Sequence, residues 1–146
     1  MKHILILATL VISAPVIAQN AAPSAISAAD NAAVAVPLAT YIKAQENGDG
    51  ALLLTAFTKD AMLFGADKSG DFKLTIQQYA KSFSGKPADD EAQRKRSYQI
   101  LSVSNDAAVA LVVLDYPKVK YADYMSLLKI KGEWKIVNKT FFAERR

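Results

Sequence analysis

The stretch YADYMSLLKIKGEWKIVNKTFFA, residues 121–143, decides the fold class of this chain. It is rich in β-branched, aromatic and aliphatic residues and breaks at Gly132-Glu133, a pattern typical of two strands joined by a tight turn. Residues 96–104 and 107–116 have the same character, and the dipeptide Asn105-Asp106 separates them. Short turns pair neighbouring strands in opposite directions. The second half of the chain is therefore predicted to form an antiparallel sheet of four long strands.

The first half of the chain predicts three helices. Apolar residues at helical spacing indicate a helix over residues 34–47, and Asp49 is a suitable cap for a second, short helix. Thr75 and Gln78 form a capping box at the start of a third helix, which is expected to run to about Gly85. A short strand is predicted between the second and third helices. Three helices before a curled antiparallel sheet define an α+β domain with the helices on one sheet face.

The chain has 146 residues, of which 51% are hydrophobic and 22% charged, so one folded domain is expected. Residues 1–18 have the pattern of a secretory signal peptide, with Lys2 before an apolar run that is too short to span a bilayer core of about 30 Å. Residues 19–33 are alanine-rich and predict a flexible tether, which leaves 34–146 as the domain. This organisation predicts a periplasmic or secreted protein without a stable membrane anchor.

The composition excludes several kinds of chemistry. No cysteine occurs, and the single histidine is His3 in the expected leader, so neither a metal site nor a cofactor is expected. A general base would have to be a carboxylate, a lysine or a tyrosine. The formal net charge is +4, but basic residues cluster only at 94–96 and 145–146, whereas nucleic acid needs a continuous basic face. No nucleic-acid partner is expected.

Strand alternation divides the last strands into two faces. One face is predicted to carry Trp134, Ile136, Asn138, Thr140 and Phe142 of the last strand, with Tyr124, Ser126, Leu128 and Ile130 of the strand before it. The opposite, outer face would then carry Lys139 and Phe141, with Asp123, Met125 and Leu127, beside Val109, Leu111 and Val113. An apolar outer face predicts a homodimer through the sheet. A register shift of one residue would exchange the two faces.

The order of these elements over residues 34–146 resembles the nuclear-transport-factor-2-like (SnoaL-like) superfamily. The resemblance is carried by segments 41–49, 57–61, 74–79 and 123–139. The last of these resembles the bacterial branch called "putative lumazine-binding" proteins. The resemblance implies a cone with a cavity between helices and sheet, and often a homodimer through the sheet. It implies no particular activity, because this fold carries enzymes, binding proteins and scaffolds.

Within the implied cone, aromatic and neutral polar side chains are the expected contacts of a small aromatic or apolar ligand. The candidate binding residues are Tyr41, Phe57, Phe64, Tyr79, Phe83, Tyr124, Ser126, Trp134, Asn138, Thr140 and Phe142. Two alternatives remain open. Tyr41 can be an ordinary core tyrosine, and the large aromatic residues can fill the cone completely.

Ketosteroid-isomerase-like relatives use a tyrosine, a carboxylate base and a protonated acid, and the resemblance places these at Tyr41, near Gly65 and near Ser126. Only the tyrosine is present, so no catalytic residue is assigned. Three functions remain: a binding module, a dimeric accessory subunit with a filled cone, and an isomerase- or dehydratase-like enzyme. A cavity without a buried ionisable group favours binding, and a buried carboxylate within hydrogen-bond reach of Tyr41 favours an enzyme. A solid core with a broad apolar sheet face favours the accessory subunit.

Overall fold

The computed structural model describes residues 26–146 of the chain. The expected signal peptide, residues 1–18, and the first part of the expected tether lie outside the described residues. Within the described part, no helix is both long and apolar enough to cross a membrane. The domain organisation therefore stays a prediction at its N-terminal end.

The first helix, α1 (Ala28–Asn47), begins six residues before the predicted start. Its N-cap is Ser27, whose hydroxyl accepts a hydrogen bond from the backbone N–H of Asp30 at 3.0 Å. Pro37 consequently lies inside the helix and not in its first turn. The helix ends at Gly48, which has φ 64°, and a Cβ there would lie 2.9 Å from the carbonyl carbon of Lys86. Both the conformation and the close approach require glycine.

The two short helices begin at the residues whose side chains cap them. In α2 (Gly50–Ala56), Asp49 accepts from the backbone N–H of Leu52 at 2.9 Å. In α3 (Ile76–Ala80), the reciprocal bonds of Thr75 and Gln78 complete the predicted capping box at 2.8 and 3.2 Å. This helix ends well before Gly85, so its predicted length was wrong although its start was right.

Six strands form one curved, unclosed sheet in the order β2-β1-β6-β5-β4-β3. The strands are β1 (Phe57–Asp67), β2 (Gly70–Thr75), β3 (Lys95–Ser104), β4 (Ala107–Tyr116), β5 (Val119–Ile130) and β6 (Glu133–Arg145). The four long predicted strands are confirmed as β3 to β6, whereas β2 was not predicted. Strand β1 runs parallel to β6, and all other neighbours are antiparallel.

The three helices cover one face of the sheet, and the hydrophobic core lies between the two layers, which confirms the α+β class. Among the largest fully buried core side chains are Leu38, Leu53, Leu63, Ile76, Leu114, Met125, Leu127 and Ile136. Their burial removes from water the apolar surface that drives folding.

A β-bulge in β6 makes the predicted division of its faces wrong beyond Ile136. Leu127 pairs with Ile136 and Ser126 pairs with Asn138, so Val137 has no partner on β5. One extra residue resets the alternation of a strand. Trp134 and Ile136 therefore point into the core as predicted, but from the bulge onward Lys139, Phe141 and Ala143 are buried. Asn138, Thr140 and Phe142 lie on the opposite face.

The predicted faces of β5 are also exchanged. Asp123, Met125 and Leu127 are at most 1% exposed and belong to the inner face, whereas Tyr124 and Ser126 are exposed on the outer face. The inner face of β4 opposite them has small side chains at Ala108 and Ala110, which leaves room for the longer side chains of β5. The outer positions predicted on β4, Val109, Leu111 and Val113, are confirmed by their pairing with outer residues of β5.

Candidate functional site

A cavity of about 260 Å³ lies between the helices and one end of the sheet. Its walls come from the end of α1, from β2 and α3, and from the ends of β4, β5 and β6. The lining residues are Gln45, Phe72, Leu74, Tyr79, Ser82, Leu114, Tyr116, Tyr121, Lys139 and Phe141. Most of this wall is aromatic or aliphatic, and the charged group in it is the ammonium of Lys139. We call this space the inner cavity.

Behind the wall of the inner cavity, Lys139 belongs to a buried cluster with Tyr41 and Asp123. The Tyr41 hydroxyl donates to Oδ2 of Asp123 at 2.7 Å. Nζ of Lys139 donates to the Tyr41 hydroxyl oxygen at 3.2 Å and to Oδ2 of Asp123 at 3.3 Å. Tyr41 and Asp123 are completely buried and Lys139 is 2% exposed. A buried charge is tolerated when an opposite charge and hydrogen bonds compensate it, and each member of this cluster supplies that to another.

The surroundings keep Lys139 charged and Tyr41 neutral. Burial opposes the ammonium form, but the charge and hydrogen bond of Asp123, together with the nearby tyrosines, outweigh it, and the pKa of Lys139 is raised above its ordinary value. Burial, together with the negative charge of Asp123, raises the pKa of Tyr41 well above its ordinary value. The ammonium also lies 4.3 Å from the ring centroid of Phe141 and 4.7 Å from that of Tyr79. The inner cavity therefore has a permanent cation in its wall at neutral pH.

Three tyrosines, Tyr79, Tyr116 and Tyr121, also line the inner cavity, together with Gln45 and Ser82. Gln45 donates from Nε2 to the Tyr79 hydroxyl at 2.7 Å, and Arg96 donates from Nε to the Tyr116 hydroxyl at 3.2 Å. Burial raises the pKa of Tyr116 to about 12 although Arg96 opposes the shift, and burial also raises the pKa of Tyr121. Tyr116 and Tyr121 are consequently neutral phenols at physiological pH.

A second cavity of about 340 Å³ adjoins the inner cavity and shares Gln45, Tyr79, Ser82 and Tyr121 with it. We call it the mouth. Its own residues include Phe83, Lys86 and Arg94, and no carboxylate of the described chain lines either space. Arg94 pairs with Asp90 at 2.7 Å, and its guanidinium lies 4.2 Å from the ring centroid of Tyr116. The charged residues that line the approach to the inner cavity are therefore both basic, and Asp90 compensates the charge of Arg94 but not that of Lys86.

Five of the eleven candidate binding residues lie on the inner side of the sheet or in the helical layer that covers it. Two of them line the inner cavity or the mouth, and the other three pack in the core. Tyr79 lines the inner cavity and Phe83 lines the mouth. Tyr41 lies behind Lys139, and Phe57 packs behind Tyr41 with the two ring centroids 5.9 Å apart. Trp134 is buried beside the N-terminal half of α1, where it lines a separate space with Ala33 and Val36.

The other six candidates lie on the outer face of the sheet, away from the inner cavity. They are Phe64, Tyr124, Ser126, Asn138, Thr140 and Phe142. Tyr124 is 52% exposed and Phe142 is 48% exposed. The bulge at Val137 and the exchanged faces of β5 account for the five residues on β5 and β6. Phe64 lies on β1, where it alternates with the buried Leu63 and Gly65.

Sequence reasoning missed Asp123 and Lys139, which were predicted on the outer face. A usable signal was present for Asp123, because Met125 and Leu127 alternate with it and mark an apolar, inward face. For Lys139 no local signal exists, because the bulge at Val137 decides which face of the sheet the residues after it occupy. Tyr116 and Tyr121 were also missed, although both flank Pro117 and a tight connection brings such residues to one end of a sheet.

The positions that the resemblance equates with an isomerase base and acid do not carry those groups. A Cβ at Gly65 would lie 2.6 Å from Cζ of Phe141 and would also collide with the ring of Phe72, so aromatic rings occupy the space beside it. Ser126 is exposed on the outer face. The acid that does contact Tyr41 is Asp123. No group of three or more potential metal-ligating His, Cys, Asp or Glu side chains occurs among residues 26–146.

A curved sheet covered by three helices, with a cavity at its open end, defines the nuclear-transport-factor-2-like class of α+β domains. Solved structures agree. A nuclear-transport-factor-2-like protein of unknown function from Shewanella baltica is 21% identical with a TM-score of 0.73, covering 84% of this chain and 100% of that one. One from Methylobacillus flagellatus is 28% identical with a TM-score of 0.67, covering 84% and 98%. A ketosteroid isomerase-like protein from Erwinia carotovora atroseptica is 14% identical with a TM-score of 0.61, covering 79% and 96%.

The family described as "Putative lumazine-binding" matches residues 29–142, which is most of the chain. The protein belongs to this family. The expectation drawn from segment 123–139 is thereby confirmed for the family as well as for the superfamily. None of the curated proteins matches this chain.

Proposed function

We propose that this protein binds a small planar heteroaromatic molecule in the inner cavity. The observation that carries the proposal is the ammonium of Lys139, held in an otherwise largely apolar wall by Asp123 and Tyr41. Ligand sites typically combine apolar walls with a few fixed polar groups. The volume of about 260 Å³ is just below the usual range of about 300–1,000 Å³, so it suits a ligand of one or two rings.

Lumazine is the natural first ligand to test, because it is a fused two-ring heterocycle with carbonyl acceptors and appears in the family's description. Protein refolded from denaturant, and so freed of any retained molecule, is titrated with lumazine while the fluorescence of the heterocycle is followed. Saturable binding of one molecule per chain is expected.

The matched variants are Leu74→Trp, which fills the inner cavity, and Leu54→Trp, which adds the same ring at an exposed position of α2. Leu74→Trp is expected to abolish binding and Leu54→Trp to leave it unchanged. Wild-type affinity in Leu74→Trp would place the ligand elsewhere. Absence of saturable binding to lumazine, together with no small molecule in native mass spectra of protein from its host, would contradict the proposal.

A second candidate function is an isomerase- or dehydratase-like enzyme, and the 2.7 Å hydrogen bond between Tyr41 and Asp123 favours it. A buried carboxylate within hydrogen-bond reach of Tyr41 is the feature that the sequence analysis associates with an enzyme. However, Asp123 does not line the inner cavity, and its Oδ2 is already bonded to Tyr41 and Lys139. Binding therefore has the better support. Conversion of a β,γ-unsaturated cyclic ketone to the conjugated enone, lost in Asp123→Asn, would instead establish the enzyme.

We also propose that the protein acts outside the cytoplasm after its leader is removed. The support is the signal-peptide pattern of residues 1–18. Fractionation of host cells with N-terminal sequencing tests this. The expected result is a periplasmic or secreted chain that begins after Ala18, and a cytoplasmic chain with an intact N-terminus would contradict it.

The proposed assembly is a homodimer through the outer face of the central strands. The large apolar residues on this face include Val109, Leu111, Tyr124 and Phe142. The charged outer residues of the same strands, Asp115, Lys120, Lys135 and Glu144, lie towards the ends of the face. An apolar patch at the centre of a sheet face can pack against the same patch of a second copy related by a two-fold axis. An accessory subunit with a filled cone has less support, because the inner cavity is open.

A further inference from the structure

The ammonium of Lys139 has one hydrogen-bond donor that the protein does not use. An ammonium carries three N–H groups, and Lys139 makes two hydrogen bonds among residues 26–146, to Tyr41 and to Asp123. Both partners lie behind the wall, whereas Lys139 itself lines the inner cavity. The third N–H has no hydrogen-bond acceptor among the described residues, and the ammonium lies 4.3 Å and 4.7 Å from the ring centroids of Phe141 and Tyr79, which line the same cavity.

Two tyrosine hydroxyls in the same wall also have unused protons. The Tyr79 oxygen accepts from Gln45, so its own O–H remains free to donate. The Tyr121 hydroxyl makes no hydrogen bond within the described residues, although Tyr121 lines both the inner cavity and the mouth. Ser82 differs, because its hydroxyl already donates a hydrogen bond to the backbone carbonyl of Tyr79 at 2.7 Å. Three unused donors therefore border one small space.

The charges around the inner cavity, like its unused hydrogen-bond donors, favour a ligand with a negatively charged acceptor. Lys86 and Arg94 line the mouth, and the carboxylate nearest to Lys139, that of Asp123, is completely buried behind the wall. Because burial raises the pKa of Tyr116 and Tyr121, neither becomes an anion near neutral pH. A ligand entering this space meets cations and O–H donors but no negative side chain.

We infer that the ligand of the inner cavity is a planar aromatic oxyanion, a carboxylate or an enolate-type heterocyclic anion, whose oxygen accepts from Lys139, Tyr79 and Tyr121. This inference rests on the proposed binding function and specifies its ligand class. Hydrogen bonds to an ionised acceptor are roughly twice as strong as those between neutral groups. A cationic ligand would meet the ammonium of Lys139 in the wall, whereas the carboxylate that pairs with this ammonium, Asp123, does not line the cavity and offers the ligand no counter-charge. The rings of Phe72 and Phe141 form the apolar wall against which a flat ring system packs.

Three probes of equal shape test the ligand class: 2-naphthoate, 2-naphthamide and (2-naphthyl)methylammonium. Each is titrated into the full mature chain at pH 7 by isothermal calorimetry. The anion is expected to bind at least ten times more tightly than the amide, and the cation is expected not to bind. The preference should weaken as salt is added, since the attraction is electrostatic.

The variant that tests the assigned donor is the double substitution Asp123→Asn with Lys139→Met. It removes both charges together and avoids leaving a buried carboxylate alone, which a single Lys139→Met would do. The double variant is expected to lose the tenfold preference for 2-naphthoate while its affinity for 2-naphthamide stays the same. Lys135→Met is the matched control, because Lys135 lies on the same strand but does not line the inner cavity, and it should keep the preference.

The outcomes separate this inference from the proposed function. Equal binding of all three probes, or tighter binding of the cation, overturns the oxyanion class and leaves a cavity that binds small molecules. Undiminished anion preference in the double variant overturns the role of Lys139. If lumazine binds but no naphthalene probe does, the inference fails and the binding function stands. If neither lumazine nor any probe binds, both fail.

Discussion

Replacing Lys139 with methionine removes the positive charge from the buried cluster but keeps an unbranched side chain only one atom shorter. The carboxylate of Asp123, which is 0% exposed, then retains only its 2.7 Å hydrogen bond from Tyr41. Its other oxygen, Oδ1, already has no hydrogen-bond partner within the described structure. An uncompensated buried charge destabilises strongly, and removing one partner of a buried ion pair costs about 3–5 kcal/mol.

The expected loss in the free energy of unfolding is therefore about 3–5 kcal/mol. For a domain of this size, about 1 kcal/mol corresponds to roughly 3–5 °C, so Tm should fall by about 10–20 °C. Asp123→Asn should cost a similar amount because it leaves the ammonium unpaired. The double variant should be more stable than either single variant, since it contains no unpaired charge, and the cycle gives a coupling of several kcal/mol.

Urea unfolding followed by circular dichroism measures each variant, with Lys135→Met as the control. Lys135 contacts Glu133 at 3.3 Å near the surface, so its replacement should cost no more than about 1 kcal/mol. The reasoning is refuted if Lys139→Met lies within about 1 kcal/mol of the parent, or if the two single effects simply add. Either result would mean that the two charges do not depend on each other in the folded state.

Three further predictions concern the titration of the buried cluster, the outer face of the sheet and the packing at Gly65. Because the pKa values of Tyr41 and Lys139 are raised, the folded protein keeps protons that the unfolded chain releases. Stability should therefore fall as the pH rises above about 10, measured as the urea midpoint. Tyr41→Phe should flatten that slope, and a midpoint independent of pH in the parent would contradict this assignment. Tyr124→Arg, on the outer face, should convert the proposed dimer to a monomer in sedimentation velocity, and an unchanged dimer would locate the interface elsewhere. Gly65→Ala should destabilise by about 1–3 kcal/mol because its Cβ meets the rings of Phe72 and Phe141, and Phe72→Ala should relieve the part of the clash that Phe72 causes; fully additive losses in thermal unfolding would argue against it.

The parts of the fold that were predicted correctly depend on contacts between residues close in sequence. Asp49 and the pair Thr75 and Gln78 cap their helices through hydrogen bonds that span three residues. The strand boundaries are marked by turn residues such as Asn105, which has φ 51°, and Gly132, with φ 87°. These features require no knowledge of the remote chain, so they can be read locally.

The candidate site depended on distant parts of the chain and was therefore largely missed. The bulge at Val137 exists only in the pairing of β6 with β5, and a single unpaired residue exchanges every side chain that follows it. Lys139 consequently lies in the core although it was predicted outside, and Asn138, Thr140 and Phe142 lie on the outer face although they were predicted inside. The hydrogen bond from Tyr41 to Asp123 joins residues 82 positions apart, which no local pattern encodes.

The amino-acid sequence by itself determined the number and order of the helices, the four long strands and the family, because caps, turns and side-chain alternation act over a few residues. Only the tertiary structure decided which side chains point into the cone. Asp123 and Lys139 are each unfavourable in a core when alone, and they become acceptable there only when the fold brings the two charges and the Tyr41 hydroxyl together. Their burial is a property of the pair and not of either residue.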